Sequence, residues 1–234
     1  MRIAVIIPTY NERDNIGVLL LEIIKVFMNH DILGSIIVVD DSSPDGTANV
    51  VKDLSMKFGN ISVISREGKF GLGSAYKEGY TKALNLGFEA MIEMDADGSH
   101  DPSLIPDFVE RLEQGFQLVI GSRYIPGGKT KNWPIGRKII SRSAAVFVRL
   151  LFKSKIHDPT SGYRCIRSDA LKNLDLSKIY SAGFSFQVEM ALRCEKLKLK
   201  VCEIPIIFID RDKGKSKLSF REMLRFFKEI ITLH

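Results

Sequence analysis

Five short runs of β-branched and aliphatic residues, the first four each followed by a stretch with helical spacing, constrain this chain more than any other feature. The first run, residues 2–7, stops at Pro8-Thr9-Tyr10-Asn11. It gives way to Ile16, Leu19, Leu20, Ile23, Ile24 and Phe27, one face of an amphipathic helix. Runs at 35–39, 61–65 and 90–94 repeat the plan, and the fifth falls at 118–121. The second passes through Asp40-Asp41-Ser42-Ser43-Pro44-Asp45-Gly46-Thr47, dense in turn and cap residues, into a helix bearing Val50, Val51, Leu54 and Phe58. After the fourth, Asp101 and Pro102 supply an N-cap and a first-turn proline. Leu104, Ile105, Phe108, Val109 and Leu112 then form a buried face, with Gly115 closing the helix. Strand and helix alternating at this spacing demand right-handed βαβ crossovers. The expectation is an α/β chain with a Rossmann-like, mostly parallel sheet and helices on both faces.

Ligands of such sheets bind beyond the carboxyl ends of the strands. Pro8 to Glu12, Asp40-Asp41 and Asp95 to Asp97 all fall at that edge. The fourth run ends abruptly in Asp95 and Asp97, two acids one residue apart that cannot both be satisfied in an apolar interior. Either they face water as an ordinary turn or they share a cation. Mg2+ and Mn2+ take hard oxygen ligands, commonly one or two carboxylates plus the oxygens of a diphosphate. Three acidic loops converging on one crevice favour the metal. Gly71 and Gly73 do not make a dinucleotide fingerprint, because Tyr76 stands where GxGxxG needs a third glycine.

Beyond Arg123 the alternation breaks down. Residues 125–133 are rich in glycine, lysine and proline. Residues 135–153 read as a helix with Arg137, Lys138, Arg142 and Arg149 among Ile139, Ile140, Ala144, Phe147, Val148 and Leu151. A turn at 157–162, a short strand at 163–166, a helix at 184–196 and a strand at 201–209, whose Pro205 suits an edge, follow. Arg211, Lys213, Lys215 and Lys217 form a basic loop around Gly214. An amphipathic helix at about 219–233 finishes what reads as one catalytic domain over 1–234; it suits either the core or a bilayer surface. The three cysteines lack a CxxC pair and read as buried thiols in a reducing compartment. Met1 opens directly onto a strand pattern, so no signal peptide is expected, and no run approaches the ~18 apolar residues of a membrane span. The expected location is cytoplasmic, peripheral to the cytoplasmic face of a membrane. A formal charge of +6 favours anionic partners without choosing among them. The basic residues lack interleaved aromatics on a strand face, which argues against nucleic acid.

Several segments together resemble one family. Ile6-Ile7-Pro8-Thr9-Tyr10-Asn11-Glu12, Val38-Val39-Asp40-Asp41-Ser42-Ser43-Pro44-Asp45-Gly46-Thr47 and Met94-Asp95-Ala96-Asp97-Gly98-Ser99-His100 resemble the inverting glycosyltransferases of family 2. Gly121-Ser122-Arg123-Tyr124, Asp158-Pro159-Thr160-Ser161-Gly162-Tyr163-Arg164 and Gly183-Phe184-Ser185-Phe186-Gln187-Val188-Glu189-Met190 narrow the resemblance to the dolichol-phosphate (polyprenyl-phosphate) mannosyltransferases of that family. These load mannose from GDP-mannose onto a polyprenyl phosphate. The resemblance implies a GT-A fold in which Pro8, Tyr10, Glu12, Val39, Asp41 and Ala96 hold the nucleotide sugar. Asp95 and Asp97 would bind nucleotide and Mg2+ or Mn2+, and Asp97, Arg123 and Arg137 would carry catalysis. Arg137, Ser141, Arg211, Lys213 and Lys217 would meet the phosphates and the acceptor. Ser99, where some relatives place a glutamine, would be the third metal contact, with water as its substitute. Lys213 stands where arginine is expected, which keeps the charge and loses the bidentate fork. A chain of this length also resembles the form that relies on the membrane surface or a small membrane subunit.

The chemistry agrees with the resemblance. Cleaving a sugar–diphosphate bond leaves negative charge on the β-phosphate, which a divalent ion and basic side chains stabilise. A phosphate monoester has its second pKa near ~6 and attacks without a general base. A single displacement with inversion is therefore expected, yielding dolichyl phosphate mannose and GDP. Glucosyl transfer from UDP-glucose, another family 2 reaction and a non-catalytic nucleotide-sugar binding module are the alternatives. A nucleotidyltransferase would open with a glycine-rich loop, which Pro8-Thr9-Tyr10-Asn11 is not.

Overall fold

The computed structural model describes residues 1–179, 181, 183, 185–210 and 228–232. In chain order, β1 (Arg2–Thr9), α1 (Arg13–Asn29), β2 (Leu33–Asp40), α2 (Thr47–Lys57), β3 (Ile61–Ser65), α3 (Leu72–Asn85) and β4 (Ala90–Glu93) realise the expected alternation. A short 3-10 turn at Pro102–Leu104 leads into α4 (Ile105–Glu113) and β5 (Leu118–Ser122). The Asp101 carboxylate accepts from the Ser103 N–H at 2.9 Å, so the cap forms where Asp-Pro places it. β6 (Lys129–Lys131), α5 (Ile135–Phe152), β7 (Arg164–Arg167), α6 (Ser168–Asn173), α7 (Ser185–Lys196), β8 (Val201–Pro205) and β9 (Ile207–Ile209) follow.

The main sheet has the order β3-β2-β1-β4-β7-β5-β8, and every pairing except those of β7 is parallel. Along β1, Ile3, Val5 and Ile7 face one core cluster with Ile16, Leu20 and Phe108, while Ala4 and Ile6 face a second with Tyr76, Tyr80 and Phe186. Period-two alternation thus feeds two helical layers. A side chain at Gly79 would stand 2.4 Å from Ile6 Cγ2, which is why α3 can lie directly on β1.

Three details differ from the sequence reading. β1 continues past Pro8 to Thr9, because its pairing with β4 ends at Ile6 and the missing N–H falls beyond that ladder. β7 enters the sheet antiparallel, between β4 and β5, which brings its amino end to the carboxyl edge of the others. The 201–209 segment splits at Ile206. β8 closes the edge of the main sheet and β9 pairs in parallel with β6 in a separate two-stranded sheet. The basic loop with Arg211, Lys213 and Lys217, and most of the expected 219–233 helix, lie outside the described residues. Residues 228–232 are helical, and Ile230 is buried against Val148 of α5 and Val188 of α7. Among the described residues no helix is long and apolar enough to cross a membrane. The thiols are free; Cys165 and Cys194 are buried, and burial pushes the Cys194 pKa up to about 12.

Candidate active site

At the carboxyl ends of β1 and β2 the acids are already engaged. Asp40 accepts from the Thr9 hydroxyl at 2.7 Å and from the Ser43 hydroxyl at 2.6 Å. Asp41, 5% exposed, is bound by Arg66 Nη1 at 2.6 Å and by the Phe70 and Gly71 N–H groups at 3.1 and 3.0 Å. Asp41 therefore ties the loop before α3 to the crevice. Tyr10 and Glu12 are half-buried beside it, with Lys69 Nζ 4.0 Å above the Tyr10 ring and the Glu12 N–H on Thr47 Oγ1 at 3.0 Å. Val39 and Ala96 are buried and Pro8 half-buried.

β4 delivers Asp95 and Asp97 to the same edge, both partly exposed. Gly98 takes φ +76°, a turn conformation open to glycine, and the Ser99 N–H binds Asp97 Oδ1 at 3.1 Å. His100 is buried; its Nδ1 accepts from the Asp95 N–H at 3.1 Å, which leaves the proton on Nε2. Burial lowers its pKa to about 4, against the pull of Asp97 and with the help of Arg123, so the ring is neutral. That ring stacks on Tyr163 at 4.8 Å and meets Phe208 edge-on at 5.4 Å. Beneath Asp95 the buried Tyr76 phenol has its pKa raised well above the usual value, first by burial and then by Asp95 and Glu93.

Among the described residues no group of three or more His, Cys, Asp or Glu could hold a metal by itself. Two adjacent carboxylates fit instead a hard divalent ion that completes its shell with diphosphate oxygens and water. Ser99 Oγ, buried without a hydrogen-bond partner, is a further oxygen beside Asp97.

Arg123, just past β5, is held by Asp158 through Nε and Nη2, each at 2.7 Å, and Nη2 also donates to Thr160 Oγ1 at 2.8 Å. Burial works against both charges, yet the pair prevails: the Arg123 pKa rises above its ordinary value and the Asp158 pKa falls below the carboxylate range. Among the described residues Nη1 of this guanidinium makes no hydrogen bond, while the group as a whole lies near the Tyr124, Trp133 and Phe208 rings. Arg137 lies 4.2 Å over the Trp133 ring and pairs with Asp210 at 2.7 Å, both side chains partly exposed. The Arg123 guanidinium lies 5.5 Å from the same ring, so both cations share Trp133 as a neighbour. Ser141 accepts from the Tyr124 hydroxyl at 2.7 Å.

The structure thus gathers Asp95, Asp97, Ser99 and Arg123 around His100, with Arg137 joined to Arg123 through their shared neighbour Trp133. Sequence reasoning gave no role to His100, Trp133, Phe208, Arg66 or Asp158. Asp158 and His100 stood inside quoted motifs, whereas Arg66 carries no local signal because its partner Asp41 is 25 residues away.

Comparison with known proteins agrees. The sequence pattern described as Glycosyl transferase family 2 matches residues 4–175. The undecaprenyl-phosphate mannosyltransferase of Micrococcus luteus is 41% identical over 219 residues, 94% of this chain and 88% of that one. The polyprenol monophosphomannose synthase of Mycolicibacterium smegmatis is 40% identical over 219 residues, 93% and 81% of the two chains. Among solved structures, glucosyl-3-phosphoglycerate synthase from Mycobacterium tuberculosis in complex with Mn2+, uridine diphosphate and phosphoglyceric acid has a TM-score of 0.68 at 19% identity, covering 98% of this chain and 76% of that one. That likeness speaks for the GT-A fold alone. By sequence pattern and by these relatives, the chain belongs to glycosyl transferase family 2.

Proposed function

We propose that this glycosyltransferase moves a mannosyl residue from GDP-mannose to a polyprenyl phosphate such as dolichyl phosphate, with inversion, at the cytoplasmic face of a membrane. The observation that carries the reading is the meeting of the Asp95–Asp97 carboxylates with Arg123 at one sheet edge, the Arg137 cation standing just beyond it. The two relatives named above, at 41% and 40% identity, bear the names of a polyprenyl-phosphate mannosyltransferase and a polyprenol monophosphomannose synthase.

Asp95 and Asp97, with Ser99 beside them, would hold Mg2+ or Mn2+. Such an ion supplies Lewis-acid stabilisation of the charge that develops on the leaving diphosphate. Pro8, Tyr10, Glu12, Val39 and Ala96 line the place of the nucleoside, and Asp41 holds the 66–71 loop against it. Arg123 Nη1 and Arg137 offer donors to phosphate oxygens, and the acceptor dianion attacks without a protein base. Arg211, Lys213 and Lys217 complete the acceptor side in this proposal. Neutral His100 takes no proton at neutral pH.

Helix α5 supports a peripheral place on the membrane. Only Ala145 and Val148 of its residues are buried. Ile135 and Leu150, each 76% exposed, fall with Ile139 and Val146 on one face at helical spacing. Lys138, Arg142 and Lys153 stand exposed beside them, the composition of a helix that rests on an anionic bilayer.

The test is incubation of the purified chain with a short polyprenyl phosphate and, in turn, GDP-mannose and UDP-glucose, with Mg2+, with Mn2+ and with a chelator. Lipid-linked mannose is expected from GDP-mannose in either metal, and none with the chelator. Preferential glucosyl transfer, or undiminished transfer in the chelator, overturns the proposal.

A further inference from the structure

Among the described residues the largest side chain sealed entirely from solvent is Arg164, the first residue of β7, which runs antiparallel to its neighbours in the main sheet. It faces Glu93, its register partner at the end of β4, also fully buried, with Nε and Oε2 3.8 Å apart. The guanidinium points past Glu93 to main-chain oxygens. Nη1 donates to Gln187 O at 2.8 Å, Nη2 to Pro159 O at 3.3 Å, and Nε to Ser161 O at 3.1 Å, with Nη2 also on Ser161 O. Glu93 in turn accepts from the Tyr80 hydroxyl and from Gln187 Nε2.

An apolar side chain would fill this space at a smaller desolvation cost, since a buried ion pair seldom stabilises a fold beyond its hydrophobic equivalent. What an apolar residue cannot do is specify where three carbonyls stand. Two of those carbonyls belong to the 158–162 turn, and that turn is part of the active site. Its first residue, Asp158, holds Arg123 by two side-chain hydrogen bonds and accepts the Arg123 N–H at 3.0 Å. At its other end, a Cβ on Gly162 would lie 3.7 Å from both Asp95 Oδ2 and His100 Cε1. Glu93 stands only two residues before Asp95, so Arg164 is fastened to the metal-side strand and to the turn that carries the phosphate-side arginine.

We propose that Arg164 is a positioning residue for the transfer reaction: by fixing the 158–162 turn it sets the distance between the Asp95–Asp97 carboxylates and the Arg123 guanidinium. Donor and acceptor phosphates are gripped from opposite sides of that gap. A change in its width leaves each half able to bind its own ligand while misaligning the two for displacement. The proposal rests on the glycosyl-transfer reading for its assay.

Arg164→Lys keeps the charge opposite Glu93 and removes the fork. Its thermal midpoint, its Mn2+-dependent binding of GDP by calorimetry, and its kcat and KM for GDP-mannose are compared with those of the parent chain. The expected result is parent-like GDP binding and donor KM with kcat lower by roughly 10- to 100-fold, the scale of a misplacement near an ångström. Gly162→Ala, which adds a methyl at ordinary contact distance from Asp95 and leaves Arg164 untouched, provides the second arm and is expected to lower kcat severalfold with GDP binding unchanged. A folded Arg164→Lys chain with parent kcat overturns the proposal. Should Arg164→Lys fail to fold, Gly162→Ala decides, and parent kcat there overturns it equally. Absence of sugar transfer by the parent chain sinks the proposed function instead, a distinct result.

Discussion

Helices α1 and α5 are nearly equal in length, 17 and 18 residues, and both are amphipathic in sequence, yet they bury opposite amounts. α1 seats Ile16, Leu19, Leu20, Ile23, Ile24 and Phe27 in the core under the sheet. α5 seats Ala145 and Val148, packs Phe147 and Leu151 partly beside them, and turns Ile135, Ile139, Val146 and Leu150 outward. The charged groups of the two regions differ in the same sense. Asp40 and Asp41, at the carboxyl end of β2, are engaged by internal hydrogen bonds, whereas Arg137 on α5 and its partner Asp210 both remain partly exposed. One flank of the crevice is held by internal hydrogen bonds and a buried helix; the other presents exposed aliphatic and basic side chains.

The strongest break between the two kinds of residue is at the carboxylates proposed to hold the metal. Asp97→Ala removes a partly exposed side chain, so its thermal midpoint should stay close to that of the parent chain. Transfer should fall by roughly a thousandfold, the scale seen when charge stabilisation at a leaving group is lost. Steady-state transfer and a melting curve on the same preparation check both halves. Turnover retained in this variant, with metal present, removes Asp97 from the mechanism.

The helices themselves come next. Leu20→Ala empties a fully buried site on α1 and should cost about 2–5 kcal/mol of unfolding free energy, with kcat unchanged while the chain is folded. Ile139→Ser combined with Leu150→Ser on α5 should change stability by less than about 1 kcal/mol, because both side chains face out. The double variant should bind anionic vesicles roughly tenfold or more weakly, having lost several buried methylenes. Urea denaturation and vesicle flotation separate these outcomes. Equal destabilisation by both would mean that α5 is a core helix like α1.

These contrasts also mark what the sequence makes legible. The strand runs and their terminal acids can be read because β-branched clustering and a following turn are local properties. So can the Asp101-Pro102 cap. The outward face of α5 cannot, since apolar spacing of Ile139, Val146 and Leu150 looks the same whether the partner is a sheet or a bilayer. Arg123 is readable as a cation at a strand end, but its clamp, Asp158, is 35 residues away and reaches it only because β7 runs antiparallel. Strand direction is settled by tertiary pairing, which no single-sequence pattern encodes. The break at Ile206, which divides one apolar run between two sheets, is of the same kind.

The Arg123–Asp158 pair gives the acid-side prediction. Asp158 titrates below the carboxylate range when folded, because Arg123 and its hydrogen bonds outweigh burial, and near 3.9 when unfolded. A carboxylate lowered on folding contributes stability that is complete above the unfolded value and lost as pH falls toward the folded one. Asp158→Asn should therefore be less stable than the parent chain at pH 7, by about 3 kcal/mol for a broken buried pair, with the gap closing as pH is taken below about 4. Denaturation at a series of pH values reads it. A gap that stays constant across that window would mean the ion pair is not what Asp158 contributes.

The smallest effect is expected at Ser99. Its hydroxyl is buried without a hydrogen-bond partner, so Ser99→Ala removes an unsatisfied group and should leave stability within about 0.5 kcal/mol of the parent, or raise it. If Asp95 and Asp97 are the main protein ligands of the ion and water fills the remaining positions, the metal concentration for half-maximal transfer should rise less than about tenfold. A metal titration of transfer, run beside the same titration of Asp97→Ala, ranks the oxygens. A Ser99→Ala chain as inactive as Asp97→Ala would make that hydroxyl a primary ligand. The crevice would then hold its metal with three protein oxygens from the 95–99 turn.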